Sequence, residues 1–213
     1  MREELYNWKY EHVAQTLKKS LEKRAFEVHI AKSEEDLINL INLMIPQGAT
    51  VASGGSLSIL ESGILDILRS EKYNFIDRAK AKTPEERRNL EIAAFSSDFY
   101  LCSANAVTED GKLIFLDGNG NRVAAIAFGP KNIILVVSVN KVVKNLDEAI
   151  ERIRMISPMN AKRLELKTPC NATGFCHDCA SDQRICNYFL IVESSFRQPK
   201  RIKVILTTFE LGL

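Results

Sequence analysis

The residues Ile133-Ile134-Leu135-Val136-Val137 form an unbroken apolar run between Lys131-Asn132 and Ser138. Successive side chains of a strand point to opposite faces, so a strand with this composition must be covered on both sides. The run therefore predicts a central strand of a parallel sheet with helices above and below it.

The flanking segments supply those helices. From Glu3 to Ala25, Leu5, Trp8, Val13, Leu17 and Leu21 recur at helical spacing over a polar back. Phe26 to Ile30 alternates like a short strand. Ser33, with Asp36 at the capping-box position, starts a second helix that Pro46-Gln47-Gly48 ends. Thr50 to Ala52 reads as a buried strand, and the turn Ser53-Gly54-Gly55-Ser56 leads into a helix through Ile59, Leu60 and Ile64. Thr83-Pro84-Glu85-Glu86 combines a cap, a first-position proline and first-turn acids, opening a helix to about Phe95. Phe99 to Cys102 reads as another buried strand. Lys112 to Leu116 and Val123 to Phe128 are expected as strands of a hairpin or related tight loop around Asp117-Gly118-Asn119-Gly120-Asn121. A helix is expected from Leu146 to Ile156, and strands at Phe189 to Val192 and Ile202 to Thr207. Trp8 and Tyr10 are read as packing residues, and Cys102 as a small core residue. Alternating strands and helices predict an α/β fold with a mostly parallel sheet, built as one domain over 1–213.

Several classes are disfavoured. The 29 basic and 27 acidic residues leave a net charge of +2 without a basic stripe, so nothing points to nucleic acid. No apolar stretch reaches the roughly 18 residues of a membrane helix, and Met1 to Lys9 lacks a signal-peptide core. The expectation is a cytoplasmic protein whose five cysteines stay reduced and serve as ligands, redox centres or core residues.

Four of those cysteines, Cys170, Cys176, Cys179 and Cys186, have the spacing C-x₅-C-x₂-C-x₆-C among turn formers such as Pro169, Asn171, Gly174 and Asp178. A loop of this kind gains order from a metal or cluster. Only Cys176 and Cys179 form the short pair that zinc sites use twice, which favours a four-iron iron–sulfur cluster over zinc as the alternative. Unliganded thiols and redox-labile pairs are the plain reading. His177 is a weaker candidate ligand.

A second candidate is the glycine turn Ser53-Gly54-Gly55-Ser56, where close backbone approach and a helix N-terminus suit an anion. Glycine is also ordinary in strand-to-helix turns, and Glu61 one turn later reads as a surface acid or a catalytic carboxylate. A third candidate joins Ser103-Ala104-Asn105-Ala106 to the loop Asp117, Gly118, Asn119, Gly120, Asn121 and Arg122. Segments after strands sit at the sheet edge where α/β sites form, and Arg122 offers a bidentate fork. Local turn chemistry explains the same residues equally well. Asn140 and Lys141, after the long strand, occupy the same kind of edge, with Lys141 either an anion ligand or a solvated loop cation.

These segments, together with Gly129-Pro130-Lys131, Asn160-Ala161-Lys162-Arg163-Leu164, Thr168-Pro169-Cys170 and Glu210-Leu211-Gly212, follow in order along nearly the whole chain. In that pattern the chain resembles the LUD-domain family of lactate-utilisation proteins, in its single-domain, lactate-utilisation C-like branch. The resemblance implies a fold similar to the sugar-phosphate isomerase and CoA-transferase superfamily, with phosphorylated or CoA-linked ligands at the sheet's C-terminal edge. It also implies organic-acid metabolism alongside iron–sulfur redox partner proteins. The expected partners are thus a small anionic substrate and such redox proteins. Two rivals stand: an isomerase, transferase or hydrolase of a phosphorylated or CoA-linked molecule with structural zinc, and a non-catalytic subunit whose cysteine loop docks a partner.

Overall fold

A computed structural model describes residues 1–213. In chain order the elements are α1 (Arg2–Glu22), β1 (Glu27–Ala31), α2 (Glu34–Met44), β2 (Thr50–Ser53), α3 (Leu57–Glu61), α4 (Ile64–Leu68), β3 (Asn74–Ile76), α5 (Pro84–Ala93) and β4 (Phe99–Cys102). There follow β5 (Ala106–Thr108), β6 (Leu113–Asp117), α6 (Asn121–Phe128), β7 (Asn132–Ser138), β8 (Val142–Val143), α7 (Leu146–Arg163), α8 (Pro169–Thr173), β9 (Tyr188–Val192) and β10 (Ile202–Thr207).

Six strands form the main sheet in the order β1-β10-β7-β4-β2-β3, and every neighbouring pair is parallel. As the apolar run requires, β7 lies inside the sheet between β10 and β4, with Leu135 opposite Val204 and Ile134 opposite Leu101. Its side chains divide by parity. Ile133, Leu135 and Val137 pack with Leu17, Leu21 and Ile126 on one face. Ile134 and Val136 pack with Leu37, Ile41, Ile59 and Leu68 on the other. Burying each such side chain contributes about 1.5–3 kcal/mol, so this strand anchors both cores.

A second sheet, β8-β5-β6-β9, stands beside the first. It is mixed: β5 runs parallel to β8, and β6 runs antiparallel to both β5 and β9. Its outer face packs on α7 through Ala106, Ile114, Ala149 and Ile153.

The caps act as their residue types demand. Ser33 and Thr83 accept from Asp36 N and Glu86 N, and Asn145 does the same for Glu148 N. Four expectations fail. The helix expected through Ile59, Leu60 and Ile64 is two helices, α3 and α4, broken at Ser62-Gly63, where Gly63 takes φ +71°. Val123–Phe128 is helix, not the return strand of a hairpin. Asp117 Oδ2 accepts the Val123 amide at 2.9 Å, Gly120 sits at φ +79° as the N-cap, and a run of alanines favours the helix that follows. The partners of β6 are β5 and β9 instead. The helix starting at Leu146 runs beyond Ile156, through Pro158, to Arg163. Proline costs an interior hydrogen bond, and buried Ile153, Ile156 and Ala161 hold the helix together across it. Trp8 does not pack inside: it is 62% exposed and lies against His12 with ring centroids 4.7 Å apart and planes tilted by 40°. No helix is long and apolar enough to cross a membrane.

Candidate functional site

Because the main strands are parallel, the loops after β2, β4, β7 and β10 all emerge at one edge. From β2 the chain turns to α3 on the Leu37–Ile41 face, whereas from β4 it enters the second sheet on the other face. A crevice opens where neighbouring strands send their connections to opposite sides.

The glycine turn forms its first wall. Gly54 N donates to Leu101 O at 2.9 Å, and a Cβ on Gly54 would stand 3.1 Å from the Tyr100 hydroxyl and 3.2 Å from Cys102 Cβ. Only glycine fits there without displacing the core. Over Gly55 lies the guanidinium of Arg78, whose Nη2 a Cβ there would overlap. Burial, and then the charge of Arg87, hold the Arg78 pKa below its ordinary value. Ser56 caps α3, its hydroxyl accepting from Ile59 N.

Arg122 forms the floor. Its Nε donates to Asp117 Oδ1 at 2.8 Å, Nη1 to Ser103 O at 2.9 Å, and Nη2 to Asn105 Oδ1 at 2.7 Å and Leu116 O at 2.9 Å. The expected ligand fork is thus largely engaged in joining three segments of the protein. Asn105 Oδ1 also accepts from Leu116 N, so this amide oxygen is structural too.

Lys141 is buried at 4% exposure. Its Nζ donates to Ser58 Oγ at 2.7 Å and Ser103 Oγ at 3.0 Å. Burial first, then the positive charges of Arg152 and Arg122, push its pKa down to about 7, against a smaller opposing pull from Glu61. Glu61 is exposed, as a surface acid is, and its carboxylate accepts the Gly212 amide at 2.5 Å. The segment Leu211 to Leu213 thereby lies over Lys141, since a Cβ on Gly212 would overlap Ser58 Oγ and stand 3.3 Å from Lys141 Nζ.

Two cavities of about 240 and 60 Å³ share Gly55, Asn105, Arg122, Asn160 and Arg163 in their walls and make one cleft. Gly55, Ser56, Asn105, Asp117, Gly118, Asn121, Arg122 and Lys141 come together there, as the edge argument expects. Gly54 and Gly120 shape the loops from behind, with Gly120 packed against Tyr188. Ser53 lines a small void with Arg78 and Tyr100. Asn140 faces a different groove beneath α1, with Tyr10 and Val13, and its buried Oδ1 has no partner.

Sequence reasoning missed Arg78, Arg87, Asn160 and Arg163. Arg163 pairs with no carboxylate and only donates to Asn160 Oδ1, at 3.3 and 3.2 Å. Its position at the end of α7 depended on the helix continuing through Pro158, which no local signal announces.

The cysteine loop borders this cleft. Ile185 lies 3.2 Å from the Cβ that Gly118 lacks, Asn187 N donates to Asp117 O, and Cys186 Sγ donates to Ser157 Oγ at 3.5 Å. Both Ile185 and Ser157 line the larger cavity. From Pro169 to Asn187 no residue is buried, and Phe175 is 76% exposed. The loop is tied internally by Arg184, which donates to Cys179 O, Cys186 O and Asp178. No three Cys, His, Asp or Glu side chains stand close enough together to hold an ion. By residue type four thiols within 17 residues suit a thiophilic centre. His177 is engaged with Thr173 Oγ1 at 2.7 Å. Cys102 is a core residue with its thiol pushed up to about 12 by burial.

Comparison with known proteins places this architecture. A crystal structure of a DUF162 family protein from Deinococcus radiodurans is similar in fold, with a TM-score of 0.51 at 11% identity over 93% of this chain and 98% of that one. No curated protein matches at a significant level. The sequence profile of the LUD domain matches residues 14–207, nine-tenths of the length, and the chain belongs to the LUD domain family.

Proposed function

We propose that this LUD domain protein serves organic-acid metabolism of the lactate type. It binds a small carboxylate or phosphate anion in the cleft, and an iron–sulfur cluster on Cys170, Cys176, Cys179 and Cys186. One observation carries the reading. The cleft is lined by Arg78, Arg87, Arg122, Arg163 and Lys141; Asp117 neutralises Arg122 and Glu91 behind the wall pairs with Arg78 and Arg87 at 3.6 and 3.5 Å, which leaves Arg163 and Lys141 without a carboxylate, and the cysteine loop is part of the wall. Arg163, free of any carboxylate, is the residue that holds the anion, Asn160 orients it, and Arg78, shared with Glu91, adds positive charge. A bound cluster would supply one-electron transfer, in exchange with iron–sulfur redox partner proteins. The chain's own residues bind and orient the anion beside it.

Anaerobic purification with iron, sulfide and zinc analysis tests the cofactor. Broad visible absorption that dithionite bleaches is expected. A colourless, zinc-loaded protein would replace the redox reading with a structural metal, leaving isomerase, transferase or hydrolase chemistry. Thermal shift with L-lactate, phosphate and CoA esters tests the cleft, and stabilisation by at least one of them is expected.

A further inference from the structure

The group that the anion cleft does not account for is the amine of Lys141. A cation serving only to attract anions belongs at the mouth of a site with its charge intact. Lys141 is instead among the buried residues of the chain and lines the inner end of the cleft. No carboxylate pairs with it; its hydrogen-bond partners are the two hydroxyls of Ser58 and Ser103.

The geometry of those hydroxyls decides between two chemistries. In a serine–lysine pair the hydroxyl gives its proton to the amine and attacks as the alkoxide. Here each hydroxyl has a carbonyl to donate to: Ser58 Oγ to Leu211 O at 3.2 Å, and Ser103 Oγ to Ala104 O at 3.2 Å. Both oxygens therefore accept from Lys141. An ammonium would carry three N–H bonds to two acceptors, whereas a neutral amine uses both its hydrogens and keeps its lone pair unengaged. The nearby cations Arg152 and Arg122 favour the same neutral form, the arrangement that activates a nucleophilic lysine.

We infer that Lys141 is a nucleophilic amine that forms an imine with a 2-oxo acid bound in the cleft. The inference rests on the reading of the cleft as an anion site and deepens it by naming the carbonyl partner. The Nζ lone pair attacks the ketone carbon, and a C–N bond forms as the carbonyl π bond breaks. Two N–H protons and the carbonyl oxygen then leave as water, giving C=N. Ser58 and Ser103, already bonded to Nζ, are placed to relay those protons. The acid's carboxylate is held by Arg163 and Asn160, which line the same cavity as Lys141. Protonation of the imine makes the carbon beside it acidic, the useful consequence of such a linkage.

Reductive trapping tests the inference. The whole chain is incubated with pyruvate, 2-oxobutyrate, 2-oxoglutarate or glyoxylate and cyanoborohydride, and then peptide-mapped by mass spectrometry. The expected result is one adduct on Lys141, with a mass gain equal to the oxo acid less one oxygen atom. It should diminish at least tenfold when excess phosphate is present. Mapping the unaltered chain keeps the result independent of whether Lys141→Arg folds; that variant, if folded, should lose the adduct. No adduct with any of the four acids, or labelling spread evenly over surface lysines, overturns the inference. Thermal shift by phosphate in the same samples separates the two readings: a shift without an adduct tells against the amine alone, and loss of both tells against the cleft.

Discussion

Replacing Lys141 by methionine should reverse the sign of its effect on stability between acid and alkaline pH. In the unfolded chain this lysine titrates at its ordinary 10.5, and in the fold at about 7. Burial sets the folded value first; of the charged neighbours, Arg152 on α7 and Arg122 on α6 lower it further, and Glu61 on α3 raises it. Below pH 7 both states bind the proton, and the fold carries the full penalty of a buried charge, about 5 kcal/mol for a displacement of this size. Between 7 and 10.5 only the unfolded state holds the proton, so the penalty falls by about 1.4 kcal/mol per pH unit as pH rises. Methionine fills a similar volume and never charges, yet it removes the donors to Ser58 and Ser103, worth about 1 kcal/mol each. The variant should thus be about 3 kcal/mol more stable than the parent at pH 6 and about 1 kcal/mol less stable at pH 10. Urea unfolding followed by far-ultraviolet circular dichroism at pH 6, 8 and 10 measures the difference. Tryptophan fluorescence is a poor probe because Trp8 is solvent-exposed. Two stability curves that stay parallel across this range would refute the reasoning, since they require Lys141 to hold its proton equally in both states.

Arg122→Ala should lose about 3 kcal/mol of stability in the same denaturation assay, because it strands buried Asp117 and opens the Ser103–Asn105 segment. Arg163→Ala should leave stability within about 0.5 kcal/mol but weaken any anion-induced rise in melting temperature, since Arg163 is exposed and unpaired with acid. Serine at Cys170, Cys176, Cys179 or Cys186 should reduce bound metal measured by elemental analysis. Cys102→Ser should keep the metal and lose about 1–3 kcal/mol by placing a hydroxyl in an apolar core. Chelation of the protein as purified should open the segment between Thr173 and Arg184 to limited proteolysis while far-ultraviolet dichroism holds steady. Outside that window Ile185 and Asn187 are pinned to Gly118 and Asp117.

What was legible in the sequence followed from burial on two faces and from capping chemistry. The run 133–137 specified the central strand, and Ser33 and Thr83 marked helix starts because their hydroxyls meet orphan amides. The second sheet was largely illegible. Its strands β5 and β8 have three and two residues, too short for any periodicity, and their pairing is set by tertiary contact. Val123 to Phe128 misled for a different reason: apolar residues in so short a window satisfy strand and helix equally, and the Asp117 side chain that decides reaches an amide six residues on, outside the ordinary capping spacing. At the site, turn residues were found because glycine, asparagine and aspartate announce loops. The cations were missed because an arginine on a helix looks the same whether it faces solvent or a cleft. The seryl partners of Lys141 lie 83 and 38 residues away, and no spacing rule spans such distances.

The cleft and the cysteine loop are mechanically one unit, and this bears on how a redox event and a bound anion would influence each other. Asp117 is the joint. One carboxylate oxygen holds Arg122, the other caps α6 at Val123, and its backbone carbonyl receives Asn187 at the end of the cysteine loop. Arg122 passes the constraint to Ser103 O, and Ser103 Oγ passes it to Lys141. On the far side Cys186 bonds to Ser157, three residues before Asn160, the partner of Arg163. A rearrangement that drew the four thiols together, as the proposed cluster requires, would act on both ends of the cleft through these bonds of up to 3.5 Å. Coupling of this kind is reciprocal: an anion that fixes Arg163 and the Asp117 loop would also favour one arrangement of the thiols, by the same free energy.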